Sequence, residues 1–153
     1  MKKLILIIIF SILTGSKLFS AAMFDPQLEW RSIKTEHFWI HYHQGIEEQA
    51  VKVSLIAEKV HNRLSPIIQW NPALRTDVVL VDNLYTANGV STPIPFNRIQ
   101  IYITRPEIDG VLNNFDTWLE MVFTHEYTHT LNMDSARGFP AVLRYGLGRC
   151  CFL

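Results

Sequence analysis

The pentapeptide His125-Glu126-Tyr127-Thr128-His129 contains the residue types of a metal-dependent hydrolase. Two histidines four residues apart lie on one face of a helix, so both imidazoles can bind one ion. Zinc accepts imidazole nitrogen, keeps a position open for water and lowers the pKa of that water towards neutrality. Glu126 can take the water's proton and deliver it to a leaving amine. The spacing predicts a zinc site with His125 and His129 as ligands and Glu126 as the catalytic acid/base.

The alternative interpretation of the pentapeptide is an ordinary helix whose two histidines are satisfied by other partners. The surrounding sequence favours the zinc site. The pentapeptide lies within a predicted helix from Thr117 to about Asn132, with Asp116 as its N-cap. Val122 and Phe123 precede it, and an apolar pair at this place is typical of a helix that is buried on one side.

The chain ahead of the pentapeptide predicts the elements that position it. Residues 37–43 alternate in the manner of a strand, and residues 46–64 carry an apolar stripe at helical spacing that ends at Pro66. Residues 77–82 form a short, continuously apolar strand, which we expect in the centre of a sheet. The order strand, helix, strand, strand, helix predicts a small mixed sheet packed on helices.

The last predicted strand, residues 98–104, alternates isoleucines with polar residues. We expect this half-polar strand at a sheet edge, where Ile99, Ile101 and Ile103 would bind an extended peptide substrate by strand addition. The alternative is an edge strand without a ligand. Residues 83–97 precede it and contain Asn88-Gly89 and two prolines, which predicts an irregular loop.

The remaining histidines allow a second, weaker hypothesis. His37, His41 and His43 share one predicted strand face and could be interpreted as another metal site. Half-exposed strand histidines without a metal are the favoured interpretation. His61 lies at the margin of the predicted helix stripe, and no ligand role is expected for it.

The N-terminus has the pattern of a secretory signal peptide. Lys2 and Lys3 form a positive start, the apolar stretch 4–13 is short for a bilayer, and Ser20 and Ala22 occupy the small-residue positions of a cleavage site. We expect cleavage after Ala22, and the alternative is an uncleaved membrane anchor. Both interpretations predict an exported protein, periplasmic or extracellular, with membrane association in the second case.

Composition limits the functions of the remaining residues 23–153. They number 131, enough for one domain. The signal segment takes three of the 14 basic residues and none of the 14 acidic ones, which leaves 11 basic against 14 acidic. This balance predicts no nucleic-acid partner. Cys150 and Cys151 are the only cysteines, and an adjacent pair is not a disulfide framework.

Three stretches resemble the peptidase domain of bacterial gluzincin-type, peptidase-MA-like zinc metallopeptidases: IKTEHFWIHYHQGIEEQAVKVSLIAEKVHNRL, RTDVVLVDNLYTANGVSTPIPFNRIQIYI and WLEMVFTHEYTHTLNMD. The resemblance runs from about Trp30 to Arg149. It implies a zincin-like α+β fold, in which a small mixed sheet packs on a long helix and on the HExxH helix. It also implies a Zn²⁺ cofactor, a peptide or protein substrate and, in full-length relatives, a downstream propeller of TolB-like repeats.

The same resemblance implies a third zinc ligand, a glutamate on a second helix beyond Arg149. Residues 130–153 contain no Glu and no His. Asp134 follows His129 by five residues and, on a continuing helix, would point away from the histidine pair. The thiolates of the two cysteines are the remaining alternative.

We therefore expect a domain that is incomplete at its C-terminus, for instance through a frameshift near residue 149. The tail 150–153 is then not part of the fold, and the zinc site lacks its third ligand. The sequence leaves the activity of this chain uncertain. It predicts a metallopeptidase domain by resemblance, with an inactive truncated fragment or a non-catalytic peptide-binding domain as the alternative.

Overall fold

The computed structural model describes residues 25–83, 88–94, 96–103, 115–138 and 141–142. The predicted signal peptide 1–22, the tail 150–153 and both cysteines lie outside these residues. In the part of the chain that is described, no helix is both long and apolar enough to cross a membrane.

The described residues form five strands and two helices: β1 (Trp30–Lys34), β2 (Phe38–His43), α1 (Glu47–Ile68), β3 (Thr76–Val81), β4 (Asn88–Thr92), β5 (Arg98–Tyr102) and α2 (Phe115–Ser135). The sheet order is β1-β2-β3-β5-β4. The three inner strands are parallel to one another, and each outer strand pairs antiparallel. The predicted class, α+β with a mixed sheet packed on two helices, is confirmed, and β3 is central as expected.

The predicted sheet edge is wrong. Strand β5 lies between β3 and β4, and Ile99 and Ile101 are fully buried while Ile103 is 8% exposed. The true edge is β4, which falls within the segment predicted as an irregular loop. The half-polar pattern of β5 misled the prediction because Gln100 donates a hydrogen bond to the Tyr102 hydroxyl at 2.8 Å, so these polar residues satisfy each other within the sheet.

Two predicted helix ends are also wrong. Pro66 lies inside the last turn of α1, although a proline there removes one hydrogen bond of the helix. The helix ends after Ile68, when Gln69 takes a left-handed conformation (φ 55°) and the Trp70 amide donates to the Ser65 carbonyl at 3.2 Å. Asp116 is not the N-cap of α2, because the helix already includes Phe115.

The core centres on Tyr127, the middle residue of the pentapeptide. Its ring is 1% exposed and packs edge-on against Phe38 of β2, with centroids 5.1 Å apart. Its hydroxyl lies 2.6 Å from Nδ1 of His61 on α1. His61 is therefore buried, not marginal, and its ring stacks on His37 at 3.6 Å. These contacts connect α2, α1 and the sheet in one place.

The three strand histidines have separate partners. His37 contacts the Glu58 carboxylate at 2.8 Å, His41 contacts Asp77 at 2.7 Å and His43 contacts Asp82 at 3.0 Å. His37 and His41 are half-buried as expected, whereas His43 is buried, which the sequence did not predict. Within the described residues, no three His, Cys, Asp or Glu side chains are grouped as a metal site.

Removing the Tyr127 hydroxyl should destabilise the fold. In Tyr127→Phe, the buried His61 ring loses its closest hydrogen-bond partner and keeps only the Ser65 hydroxyl at 3.4 Å, and we expect the free energy of unfolding to fall by about 1–3 kcal/mol. Urea denaturation measures the loss. Tyr42→Phe is the matched control, because Tyr42 is only partly buried and no described residue bonds to its hydroxyl. An equal loss in the two variants would contradict the assignment.

His61 should make the fold sensitive to acid. Burial, and after it the charge of His37, lowers the pKa of His61 from its ordinary value of 6.5, against the opposing carboxylates of Glu58 and Glu36. The unfolded chain then binds the proton more readily, so the free energy of unfolding is undiminished above pH 6.5 and decreases as the pH falls below it.

Urea denaturation between pH 7.5 and 5 should show a shallower pH dependence for His61→Gln than for the unchanged chain. Asn62→Gln, at the exposed neighbouring position of α1, is the control and should retain the full slope. Parallel profiles for His61→Gln and the unchanged chain would contradict the assignment.

Candidate metal centre

Helix α2 brings the two predicted zinc ligands together. His125 and His129 lie one turn apart on its exposed side, and their Nε2 atoms are 3.1 Å apart. Their rings stand at 81° to each other, with centroids separated by 4.6 Å. The helix thus brings two imidazole nitrogens within hydrogen-bonding distance of each other on its exposed side, and the helical spacing predicts that the rings lie together.

The nitrogen separation fits a shared zinc ion. With Zn–N bonds of about 2.0–2.1 Å and tetrahedral angles, two ligand nitrogens lie about 3.3 Å apart. The observed 3.1 Å is close to this value, so little side-chain movement would be needed for both histidines to bind one ion. His125 and His129 therefore fit two of the positions of a tetrahedral zinc shell.

Glu126 occupies a different environment from its two histidine neighbours. Its residue is only 7% exposed, and no described residue donates a hydrogen bond or an ion pair to its carboxylate. Its carboxylate oxygens still reach solvent, because neither is among the fully buried atoms that lack a partner. The carboxylate is therefore accessible to a bound ligand or water.

The other polar side chains of this part of α2 are satisfied. Glu120 pairs with Lys59 of α1 at 2.9 Å, and the Tyr127 hydroxyl contacts His61. The hydroxyls of three threonines each donate a hydrogen bond of 2.6–3.1 Å to the backbone carbonyl one turn earlier in the helix. These threonines are Thr124, Thr128 and Thr130. Among the polar side chains of residues 120–130, three have no hydrogen-bond or ion-pair partner among the described residues, apart from the contact between the two histidines: His125, Glu126 and His129.

Strand β4 approaches the motif helix at Gly89. A Cβ atom there would lie 2.6 Å from Cγ of Glu126, 3.0 Å from its Oε1 and 2.9 Å from Cγ1 of Val122. Only glycine therefore permits β4 to come this close to α2. The aliphatic part of the Glu126 side chain lies against β4 at this position. The sequence marked Asn88-Gly89 only as a turn signal, and its role beside the carboxylate was missed.

The described residues supply no third donor for a metal ion. Asp134 is 2% exposed and accepts a hydrogen bond from the Trp70 indole at 2.8 Å. It lies on the buried side of α2, whereas the histidine pair is exposed, which confirms that it points away from them. The alternative thiolates of Cys150 and Cys151 lie outside the described residues.

Comparison with known proteins adds no assignment. No protein-family model, no curated protein and no solved structure matches this chain.

Gly89→Ala tests the approach of β4 to the motif helix. The added methyl group would collide with Glu126, and we expect the free energy of unfolding to fall by about 1–3 kcal/mol. In a Glu126→Ala background the colliding Cγ is absent, so the same substitution should cost less, with a coupling of at least about 0.5 kcal/mol. A double-mutant cycle by urea denaturation measures both quantities, and strictly additive losses would contradict the contact.

Proposed function

We propose that this chain carries an exported zinc metallopeptidase domain of the gluzincin type, with a zincin-like fold, which hydrolyses peptide bonds. One observation carries the proposal. The Nε2 atoms of the two HExxH histidines lie 3.1 Å apart on the exposed side of α2, and the stretch of Glu126 next to its carboxylate packs against Gly89 of the edge strand.

Each side chain of the motif has a defined role in this proposal. His125 and His129 hold the metal through Nε2. When bound, zinc supplies Lewis-acid polarisation of the peptide carbonyl and activation of water. Glu126 accepts the proton of the attacking water on its carboxylate and delivers it to the leaving nitrogen. The contact with Gly89 limits the positions that the glutamate can take and so keeps it beside β4.

The substrate strand would add to β4, not to β5 as the sequence indicated. Among the described residues, β4 is the last strand of the sheet and pairs only with β5. Its other edge lies next to Glu126, since Gly89 contacts that side chain. An extended peptide paired there would run past the carboxylate, and backbone pairing binds it with little dependence on its side chains.

Two imidazoles do not complete a catalytic zinc shell, so the proposal requires a further donor from outside the described residues. Without that donor, the free edge of β4 still supports the alternative function, peptide binding without catalysis. Export and the downstream propeller of full-length relatives rest on the sequence resemblance and remain part of the proposal.

Glu126→Gln separates catalysis from binding. We expect the variant to retain zinc, because the substitution leaves both imidazoles in place, and to lose at least about 100-fold in the rate of hydrolysis of a fluorescent casein substrate. Glu120→Gln is the matched control, since Glu120 lies on the same helix but pairs with Lys59 and Arg63. Its hydrolysis rate should stay unchanged.

His129→Ala should weaken zinc binding by at least about 10-fold, measured by competition with a chromogenic chelator. If the unchanged chain binds no zinc and Glu126→Gln has no effect on hydrolysis, the metallopeptidase assignment fails for this chain. Retained binding of an extended peptide would then support the alternative function.

A further inference from the structure

A second group of reactive side chains lies on the sheet face opposite the helices. Ser32 of β1 and His41 of β2 are cross-strand partners, and Asp77 projects from β3 on the other side of the histidine. Ser32 Oγ lies 2.8 Å from Nδ1 of His41, and Asp77 Oδ1 lies 2.7 Å from Nε2 of the same ring. The group shares no residue with the candidate metal centre.

The carboxylate sets the tautomer of this histidine. A carboxylate oxygen only accepts hydrogen bonds, so Nε2 of His41 must carry a proton to bond to Asp77. In the neutral ring Nδ1 is then bare and accepts the proton of the Ser32 hydroxyl. This is the division of roles in a nucleophile–base–carboxylate triad, with the two ring nitrogens exchanged.

The strand ladder also places a backbone donor beside the serine. The Thr35 amide donates to the Phe38 carbonyl, and the Gln44 amide donates to the Glu29 carbonyl. These bonds fix the alternation of the ladder, in which Ser32 and His41 are a non-hydrogen-bonded pair with closely spaced side chains. The Ser32 N–H therefore points away from β2, towards the outer edge of the sheet, because β1 is the end strand among the described residues.

We propose that Ser32, His41 and Asp77 form a second, metal-independent catalytic site that hydrolyses small activated carboxylic esters. Ser32 is the nucleophile, His41 the general base and acid, and Asp77 the residue that orients the ring. The Ser32 N–H supplies a donor to the oxygen that becomes negative during attack. Because Ser32 is exposed at a sheet edge, the substrate must be one that needs no enclosing pocket.

The reaction balances with water as the only co-reactant. Ser32 Oγ bonds to the ester carbonyl carbon as its proton passes to Nδ1 of His41. The bond from that carbon to the alcohol oxygen then breaks, and the alcohol leaves with the proton from His41. Water next bonds to the acyl carbon and gives a proton to His41, which returns it to Ser32 Oγ as the carboxylic acid departs.

A fluorophosphonate probe and p-nitrophenyl acetate test this site on the full chain. The Glu126→Gln background with a chelator present removes metal-dependent hydrolysis, so the two proposed activities are read separately. We expect mass spectrometry to locate the phosphonate on Ser32. Ser32→Ala should abolish labelling, and Asp77→Asn should slow both labelling and ester hydrolysis by about 100-fold.

Two substitutions serve as matched controls and should leave labelling unchanged. Asp82→Asn alters a similar strand histidine–carboxylate pair, in which His43 faces Trp30 instead of a serine. Ser135→Ala removes a serine at the end of α2. Unfolding curves verify that each variant is folded, and His41→Gln replaces Asp77→Asn if the latter does not fold. Equal labelling in Ser32→Ala, or rates unchanged by loss of the carboxylate or the histidine, would overturn the proposal.

Discussion

The burial of Tyr127 is the constraint on which the rest of the structure depends. Its ring packs against Phe38 of the sheet and Phe123 of its own helix, and its hydroxyl reaches His61 of α1. A helix with one large side chain fixed in this way cannot rotate about its axis. The packing of Tyr127 therefore also fixes where the neighbouring side chains of the helix lie. Glu126 lies against β4, and His125 and His129 are exposed to solvent.

Neighbouring side chains of this helix therefore differ in their partners. The aromatic residue of HEYTH satisfies the core, and the threonines satisfy themselves against helix carbonyls. What remains is a pair of imidazoles and a carboxylate without donors among the described residues. Gly89 allows the edge strand to pack against Glu126, because the side chain of a larger residue at that position would collide with it.

Much of the fold was predictable, because periodicity reports burial directly. The alternation of β2, the stripe of α1 and the apolar run of β3 each correspond to one buried face. The edge of the sheet was not predictable in the same way. Strand β4, with the sequence NGVST, has little apolar character. Its pairing with β5 depends on tertiary structure and cannot be predicted from the local sequence pattern. The end of α1 failed for a related reason, since Ile68, which follows Pro66, still packs against the core.

The two candidate sites differ in how much of each could be predicted from the sequence. The histidine pair of α2 depends on a helical period within five residues, so spacing alone predicts that the two rings lie together. Ser32, His41 and Asp77 come from three strands separated by up to 45 positions, and only the register of the ladder brings them into contact. Sequence analysis noted His41 but could not supply its neighbours. A histidine at the middle of a paired strand should therefore be judged by its cross-strand partners before it is assigned a role or dismissed.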